Sequence, residues 1–87
     1  MKYFVYLVKC SDNTLYCGYT TNLNRRVIDH NNSNKGAKYT KYRRPVILVY
    51  SEMFSTLSEA LKREYQIKHL NRSKKEELIK ITHPQKK

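Results

Sequence analysis

The sequence has little of several features that would identify other classes of protein. Only two of its 87 residues are glycine and 39% are hydrophobic, a composition that argues against a disordered or linker-rich chain. No apolar run approaches the roughly 20 residues that a membrane-spanning helix needs. The apolar run at the N terminus is interrupted by Lys9 and lacks the small-residue cleavage site of a signal peptide. We therefore expect no membrane partner.

Cysteine and histidine are also scarce. Cys10 and Cys17 form neither a CxxC pair nor a Cys/His zinc pattern, so we expect a protein of the reducing cytoplasm. The histidines at positions 30, 69 and 83 lie too far apart in sequence to suggest a zinc site. The chain also has no Gly-rich phosphate loop and no GxSxG elbow.

Acidic residues are few. Seven Asp and Glu are outnumbered by 18 Lys and Arg, which gives a formal net charge of +11. Such a field favours a polyanionic partner, of which nucleic acid is the usual one. A basic protein without such a partner, or a basic scaffold for an acidic protein, remains an alternative. The length allows one domain with a modest core, which we place at residues 1–83, followed by a basic tail at 84–87.

The N-terminal segment predicts a β-hairpin. Two stretches rich in β-branched and aromatic residues, Tyr3–Lys9 and Thr14–Tyr19, flank turn-forming residues at 11–13. A two-residue loop would put Tyr6 and Tyr16 on opposite faces of the sheet, whereas a three-residue loop puts both on one face. The three-residue loop also places the bare backbone of Gly18 opposite Tyr6. In that register the two cysteines point to opposite faces, so a disulfide is not expected.

A helix is predicted directly after the hairpin. Asn22 is a suitable N-cap, and the helix should run from Leu23 to about Asn31. Arg26 and His30 lie four residues apart beside its apolar stripe, a position that suits the wall of a cleft. The alternative is a solvated arginine and a histidine that the helix dipole favours.

Residues 31–44 predict a polar loop that contacts nucleic acid. The segment has five cationic side chains and no acid, with tyrosines interleaved among them. Cations neutralise phosphates, and aromatic rings can stack on exposed bases. A solvated, flexible loop is the alternative. The predicted nucleic-acid contacts are Lys38, Tyr39, Lys41, Tyr42, Arg43 and Arg44.

The second half predicts one strand and two helices. The apolar run at 46–50 is typical of a strand buried on both faces. Capping boxes at 56–59 and 73–76 predict helices that begin at Leu57 and just after Ser73. The apolar stripe of the first of these helices consists of Leu57, Ala60, Leu61 and Ile67, and Glu64 falls near its middle. A carboxylate there is costly unless it holds a cation or pairs with Lys68 or Arg26.

Two tyrosines, an arginine, a histidine and a half-buried glutamate in a basic domain suit phosphodiester hydrolysis. One carboxylate, with water and phosphate oxygens, can hold Mg²⁺. The cation and a guanidinium can stabilise charge at the phosphate, while a phenol or imidazole orients or deprotonates water. The residues of this candidate site are Tyr6, Tyr16, Arg26, His30 and Glu64.

The triplets Phe4-Val5-Tyr6 and Tyr16-Cys17-Gly18 are separated by a spacer of nine residues and resemble the two-part signature of the GIY-YIG nucleases. The spacing of Arg26 and His30 and the position of Glu64 also fit that family. The resemblance covers residues 3–81 and is closest to the small bacterial members. Slx-type enzymes are also similar to part of the chain, and UvrC is a more distant relative. The resemblance to the GIY-YIG nucleases implies an α+β domain whose three-stranded antiparallel sheet is flanked by helices in the order β-β-α-β-α-α.

The same resemblance implies an endonuclease that uses one Mg²⁺ or Mn²⁺. Glu64 matches the metal ligand, Arg26 the phosphate-stabilising arginine, and Tyr16 the likelier of the two tyrosines to activate water. Gly18 matches the close-approach glycine, and Asn71 is a loose match for a downstream asparagine. DNA is the favoured substrate, with a role in repair or recombination of branched structures, and targeting could require a protein partner. The alternative is a nucleic-acid-binding module with weak or no activity.

Overall fold

A three-stranded antiparallel sheet in the order β2-β1-β3 forms the centre of the fold. The computed structural model describes residues 1–32 and 38–82. Its strands are β1 (Tyr3–Lys9), β2 (Leu15–Thr20) and β3 (Ile47–Phe54), and its helices are α1 (Leu23–Asn32), α2 (Lys38–Lys41), α3 (Leu57–Lys68) and α4 (Arg72–Thr82). The predicted fold class and element order are confirmed, with the single turn of α2 added. The predicted tail at 84–87 lies outside the described residues.

The hairpin has a three-residue loop, one of the two lengths that the sequence left open. Tyr6 is paired with Gly18 and Val8 with Tyr16, and Asn13 closes the loop with a φ of 73°. The Asp12 carboxylate accepts hydrogen bonds from the backbone N–H and the hydroxyl of Thr14, at 3.1 and 2.6 Å. Both tyrosines of the candidate site therefore share one face of the sheet, as expected for a loop of this length.

The two faces of the sheet carry separate apolar clusters. Val5 and Leu7 of β1 face α3, where they pack with Cys17, Tyr50, Ala60 and Ile67. Tyr6 and Val8 point to the other face and pack with Cys10, Val46 and the partly buried Leu23 of α1. Cys10 and Cys17 are free thiols in different clusters. Because successive side chains of a strand alternate between faces, β1 contributes to both clusters.

The strand prediction for residues 46–50 was wrong about burial. β3 pairs with β1 on one side only and is an edge strand, so Ile47 and Leu48 are 63% and 36% exposed. The strand also continues to Phe54, beyond the apolar run. The hairpin occupies the centre and one edge of the sheet, which leaves the other edge to β3.

Helix starts were predicted well for α1 and α3 and less well elsewhere. The Asn22 and Thr56 side chains accept hydrogen bonds from backbone N–H groups three residues on, at 3.0 and 3.2 Å. In α4, however, the cap is Asn71, which accepts from the N–H of Lys74 at 2.9 Å, and not Ser73. The segment 31–44 is not a loop throughout, because α1 extends to Asn32 and α2 forms at 38–41.

The buried side of α3 is rotated from the predicted stripe. Ala60 and Ile67 are fully buried, but Leu57 and Leu61 are 39% and 40% exposed. Arg63 lies on the inward side instead, where its Nε is 3.0 Å from both carboxylate oxygens of Glu52 on β3. The Tyr50 hydroxyl also donates to Glu52. This ion pair connects the inward side of α3 to β3.

In the described part of the chain, no helix has the length and apolar character that a membrane span requires.

Candidate active site

A buried chain of hydrogen bonds connects β1, α1 and α2. The Tyr6 hydroxyl lies 2.8 Å from Nε2 of His30, and Nδ1 of His30 lies 2.8 Å from the Thr40 hydroxyl. Tyr6 is 1% exposed, and His30 and Thr40 are fully buried. The helix that the sequence predicted after the hairpin therefore brings His30 against Tyr6. Thr40 was not predicted as part of this site.

Arg26 sets the direction of these hydrogen bonds. Because its Nε already donates to the Tyr6 hydroxyl oxygen at 3.2 Å, we assign the Tyr6 hydroxyl proton to the hydrogen bond with Nε2 of His30. Nδ1 then carries the imidazole proton and donates to Thr40. The site thus holds a neutral imidazole in one tautomer between two hydroxyl groups.

Burial keeps both Tyr6 and His30 uncharged. Burial lowers the pKa of His30 to about 4, and the nearby Arg26 and Arg44 add to that effect while Asp29 opposes it. Burial raises the pKa of Tyr6 to about 12, although Arg26 partly offsets it. Proton transfer from Tyr6 to His30 is therefore strongly unfavourable near neutral pH. The pair is better suited to holding a geometry than to acting as a base.

His30 should make the free energy of unfolding depend on pH. Its pKa is about 4 in the folded protein and about 6.5 in an unfolded chain, so the unfolded chain binds more protons between these values. The contribution of His30 to stability is complete above pH 6.5 and is lost as the pH falls toward 4, by roughly 3 kcal/mol. Urea denaturation across this range should show the slope, and His30→Gln should show a shallower one. Equal slopes would contradict the buried neutral imidazole.

Tyr16 lies beside this chain and is half-buried. Its ring meets His30 edge-on, with ring centroids 5.4 Å apart. Its other neighbour is Tyr39, whose ring is nearly parallel at a centroid distance of 5.7 Å. Gly18 lies under both tyrosines, since a Cβ at this position would stand 2.6 Å from the Tyr6 hydroxyl oxygen. Four of the five predicted site residues, Tyr6, Tyr16, Arg26 and His30, are thus brought together.

Glu64 belongs to the opposite side of the sheet. Its carbonyl oxygen accepts a weak hydrogen bond from the Cys17 thiol at 3.8 Å, and its carboxylate forms an ion pair with Lys68 at 3.5 Å. Burial, with a contribution from the Glu64 carboxylate, raises the pKa of Cys17 to about 12. Cys17 follows Tyr16 in the edge strand β2, so Glu64 approaches the site beside that strand. The Lys68 ion pair is one of the alternatives that the sequence left open.

The donor set around Glu64 limits which metal it could hold. Within residues 1–32 and 38–82, no group of three or more His, Cys, Asp and Glu side chains is placed to bind an ion. A carboxylate that is 18% exposed suits a cation that keeps most of its ligands as water and phosphate oxygens. Mg²⁺ commonly binds in this way, through one or two carboxylates. The residues fit such an ion if Lys68 gives up the carboxylate.

The described part of the basic segment, residues 38–44, divides into an outward half that faces solvent and an inward half that faces the site. Lys38, Lys41 and Tyr42 are exposed, and the Lys41 ammonium lies 5.4 Å from the centre of the Tyr42 ring. Tyr39 has Tyr16 on one ring face and the Arg43 guanidinium 4.1 Å from its centroid. Only the outward half is therefore open to a stacked base. Asn71, the loose sequence match, is the cap of α4.

Comparisons with known proteins match most of the chain. A family model described as the GIY-YIG catalytic domain matches residues 2–77. UPF0213 proteins of Staphylococcus haemolyticus and Staphylococcus aureus are 60% and 63% identical over 78 residues, which is 90% of this chain and 94% of each relative. The NMR structure of the UPF0213 protein from Bacillus halodurans is 44% identical with a TM-score of 0.63, over 97% of this chain and 88% of that one. That of a protein from E. faecalis is 43% identical with a TM-score of 0.66, over 100% and 92%.

Proposed function

The chain belongs to the GIY-YIG catalytic-domain family, and from this premise we propose that it is a metal-dependent endonuclease that hydrolyses phosphodiester bonds, preferably in DNA. The family is one of nucleases, which makes nucleic acid the substrate class. The observation that carries the proposal is the contact of the Arg26 guanidinium with Tyr6 beside Tyr16, in a chain of net charge +11. A fixed cation next to two phenols is suited to a phosphate group.

The half-buried Tyr16 is the better of the two tyrosines for contacting the attacking water. Tyr6 is enclosed, with its hydroxyl bonded to His30 and Arg26. A free phenol has a pKa of about 10 and needs nearby positive charge to accept a proton near neutral pH. In the reaction, the water oxygen bonds to phosphorus, its proton passes to solvent or to the phenolate form of Tyr16, and the bond to the leaving oxygen breaks. Solvent then protonates the leaving oxygen.

Arg26 and Glu64 would complete the site from opposite sides of β2. The Arg26 guanidinium would stabilise the extra negative charge on the phosphate oxygens. Glu64 would hold the divalent cation, Mg²⁺ or Mn²⁺, which acts as a Lewis acid at the phosphate when bound. This role requires the carboxylate to leave Lys68, which is an inexpensive step because exposed ion pairs contribute at most about 1 kcal/mol.

The direct test is cleavage of a labelled panel that contains duplex, single-stranded, flap and four-way-junction DNA and a structured RNA. We expect products with Mg²⁺ or Mn²⁺ and none with chelator, and a preference among the branched DNAs would support a role in repair or recombination. Absence of metal-dependent products on every substrate would reject an endonuclease that acts without a partner. Preferential cleavage of the RNA would reject DNA as the favoured substrate and keep the reaction.

A nucleic-acid-binding module is the second candidate function. The ion pair between Glu64 and Lys68 favours it, because the carboxylate already has a cationic partner. This candidate predicts tight, salt-sensitive binding with no product in the panel. Binding to a supplied protein partner that restores cleavage would return the endonuclease to first place.

The outward half of the basic segment should account for part of the affinity for nucleic acid. Each phosphate contact contributes about one unit to the slope of log K against log salt. We therefore expect Lys41→Ala to reduce that slope by about one in metal-free binding to duplex DNA. Lys62→Ala, which removes an exposed lysine from α3, is the matched control and should leave the slope unchanged. Equal slopes for wild type and Lys41→Ala would remove this segment from the binding surface.

A further inference from the structure

The segment Tyr39–Arg44, which we call the strap, is attached to the candidate site at three points. Thr40 is bonded to Nδ1 of His30, the Tyr39 ring lies on Tyr16, and Nε of Arg44 donates to the carbonyl oxygen of His30 at 2.5 Å. These contacts reach two of the site residues from one short segment. The composition of the strap indicated nucleic-acid contacts and gave no sign of this inward role.

The strap is itself held in place by the hairpin loop. Arg43 donates to Asp12 at 3.0 Å and to the carbonyl oxygen of Tyr39 at 2.6 Å. The N–H of Ser11 donates to the carbonyl oxygen of Arg43 at 2.8 Å. The Arg43 guanidinium also lies 4.1 Å from the centroid of the Tyr39 ring. Tyr39 therefore contacts both Tyr16 and a guanidinium that is bonded to the hairpin loop.

We propose that Thr40 and Tyr39 are positioning residues, which hold the imidazole of His30 in its Nδ1-protonated tautomer and the ring of Tyr16 in its working orientation. This inference rests on the proposed function for its catalytic consequence only. Neither residue contacts the substrate. The acceptor atom that Thr40 presents to Nδ1–H leaves Nε2 as the acceptor for Tyr6, and the tautomer thereby fixes where the Tyr6 hydroxyl points.

The Thr40 arm is tested by Thr40→Val, which keeps the shape and removes the hydroxyl, with Thr40→Ser as the conservative control. Nitrogen-15 NMR of the His30 ring should report the Nδ1-protonated tautomer in wild type and Thr40→Ser, and a tautomer mixture in Thr40→Val. We expect kcat to fall about tenfold in Thr40→Val, as for one lost neutral hydrogen bond, with KM unchanged. In Thr40→Ser, kcat should return to the wild-type value. An unchanged His30 spectrum in folded Thr40→Val would overturn the proposal.

The Tyr39 arm is tested by Tyr39→Leu beside Tyr42→Leu, since these tyrosines are three residues apart in the same segment. We expect Tyr39→Leu to shift the Tyr16 ring resonances, lower kcat, and leave metal-free DNA affinity unchanged. Tyr42→Leu should weaken affinity and leave the Tyr16 resonances in place. The reverse pattern would make Tyr39 a nucleic-acid contact and refute its positioning role.

The NMR measurements separate this proposal from the nuclease itself. If no substrate is cleaved by wild type, the His30 tautomer and the Tyr16 resonances still respond to the Thr40 and Tyr39 variants or fail to. Should Thr40→Val not fold, Arg43→Met gives a second test, because the Arg43 side chain is partly exposed. That variant should release the Tyr39 ring and shift the Tyr16 resonances. An unchanged spectrum would refute the proposal that Tyr39 positions Tyr16.

Discussion

Glu64→Gln should abolish metal-dependent cleavage while leaving DNA binding and the fold intact. We expect a loss of about a thousandfold, because a catalytic cation contributes several kcal/mol to the transition state and the amide replaces its carboxylate ligand. Folding should change little, since the side chain is partly exposed and the substitution removes the ion pair with Lys68 at 3.5 Å. Cleavage rates with Mg²⁺ and thermal denaturation of the same preparation test both expectations.

The matched control is Glu59→Gln on the exposed surface of α3. It makes the same chemical change on the same helix, and the Glu59 contact that forms the α3 cap uses its backbone N–H, which the substitution keeps. Both variants should be purified identically, so that a contaminating nuclease gives equal activity in each. Cleavage by Glu64→Gln at the rate of Glu59→Gln would remove Glu64 from the metal site.

Gly18→Ala should damage both stability and activity. The added Cβ would lie 2.6 Å from the hydroxyl oxygen and 2.9 Å from Cζ of Tyr6, and 3.2 Å from Cε2 of Tyr16. Tyr6 cannot yield easily, because it is buried and bonded to His30 and Arg26. We expect a loss of about 1–3 kcal/mol of unfolding free energy, as in other overpacked cores. A shift of about 1 Å in the catalytic groups should lower kcat by about a hundredfold.

A double variant distinguishes the steric cause from a general loss of folding. Tyr6→Phe removes the oxygen that is nearest to the new Cβ, so Gly18→Ala should cost less stability in that background than in wild type. Cleavage should not recover, since the Tyr6 hydroxyl is then missing from the site. Additive costs in urea denaturation would show that the clash with the hydroxyl is not the cause.

Local signals in the sequence predicted the elements that depend on neighbouring residues. The loop of the hairpin needs only the turn residues at 11–13, and the helix caps at Asn22 and Thr56 act within three residues. The common face of Tyr6 and Tyr16 follows from the length of that loop. These parts of the fold were correct because no distant contact overrides them.

Other features depend on distant contacts that the sequence does not display. The edge position of β3 follows from its pairing with β1, for example Val5 with Glu52. The sequence gives no signal for a role of Glu52, yet its carboxylate accepts a hydrogen bond from Arg63 of α3. The single turn of α2 is too short for a periodic signal, and its Thr40 gains a role only because His30 lies beside it.

The candidate site was predicted in composition but not in arrangement. The resemblance to a family selected Tyr6, Tyr16, Arg26 and His30, which the structure brings together. It did not indicate that Glu64 would approach from the other face, and the residue spacing alone could not indicate it. The contact of the Glu64 carbonyl with Cys17 defines that approach, and it depends on how α3 packs against the sheet.

The hairpin loop is gripped from both sides of the molecule. Asp12 holds Arg43 of the strap, and the carbonyl oxygen of Asn13 accepts from Arg72 at the start of α4 at 2.7 Å. Segments from the two sides of the sheet therefore both contact the hairpin loop. Although Ser11 is a surface residue, its amide is bonded to the strap and should exchange slowly with solvent. Labelling in D₂O would then report, at the Ser11 amide, whether the strap has separated from the hairpin loop.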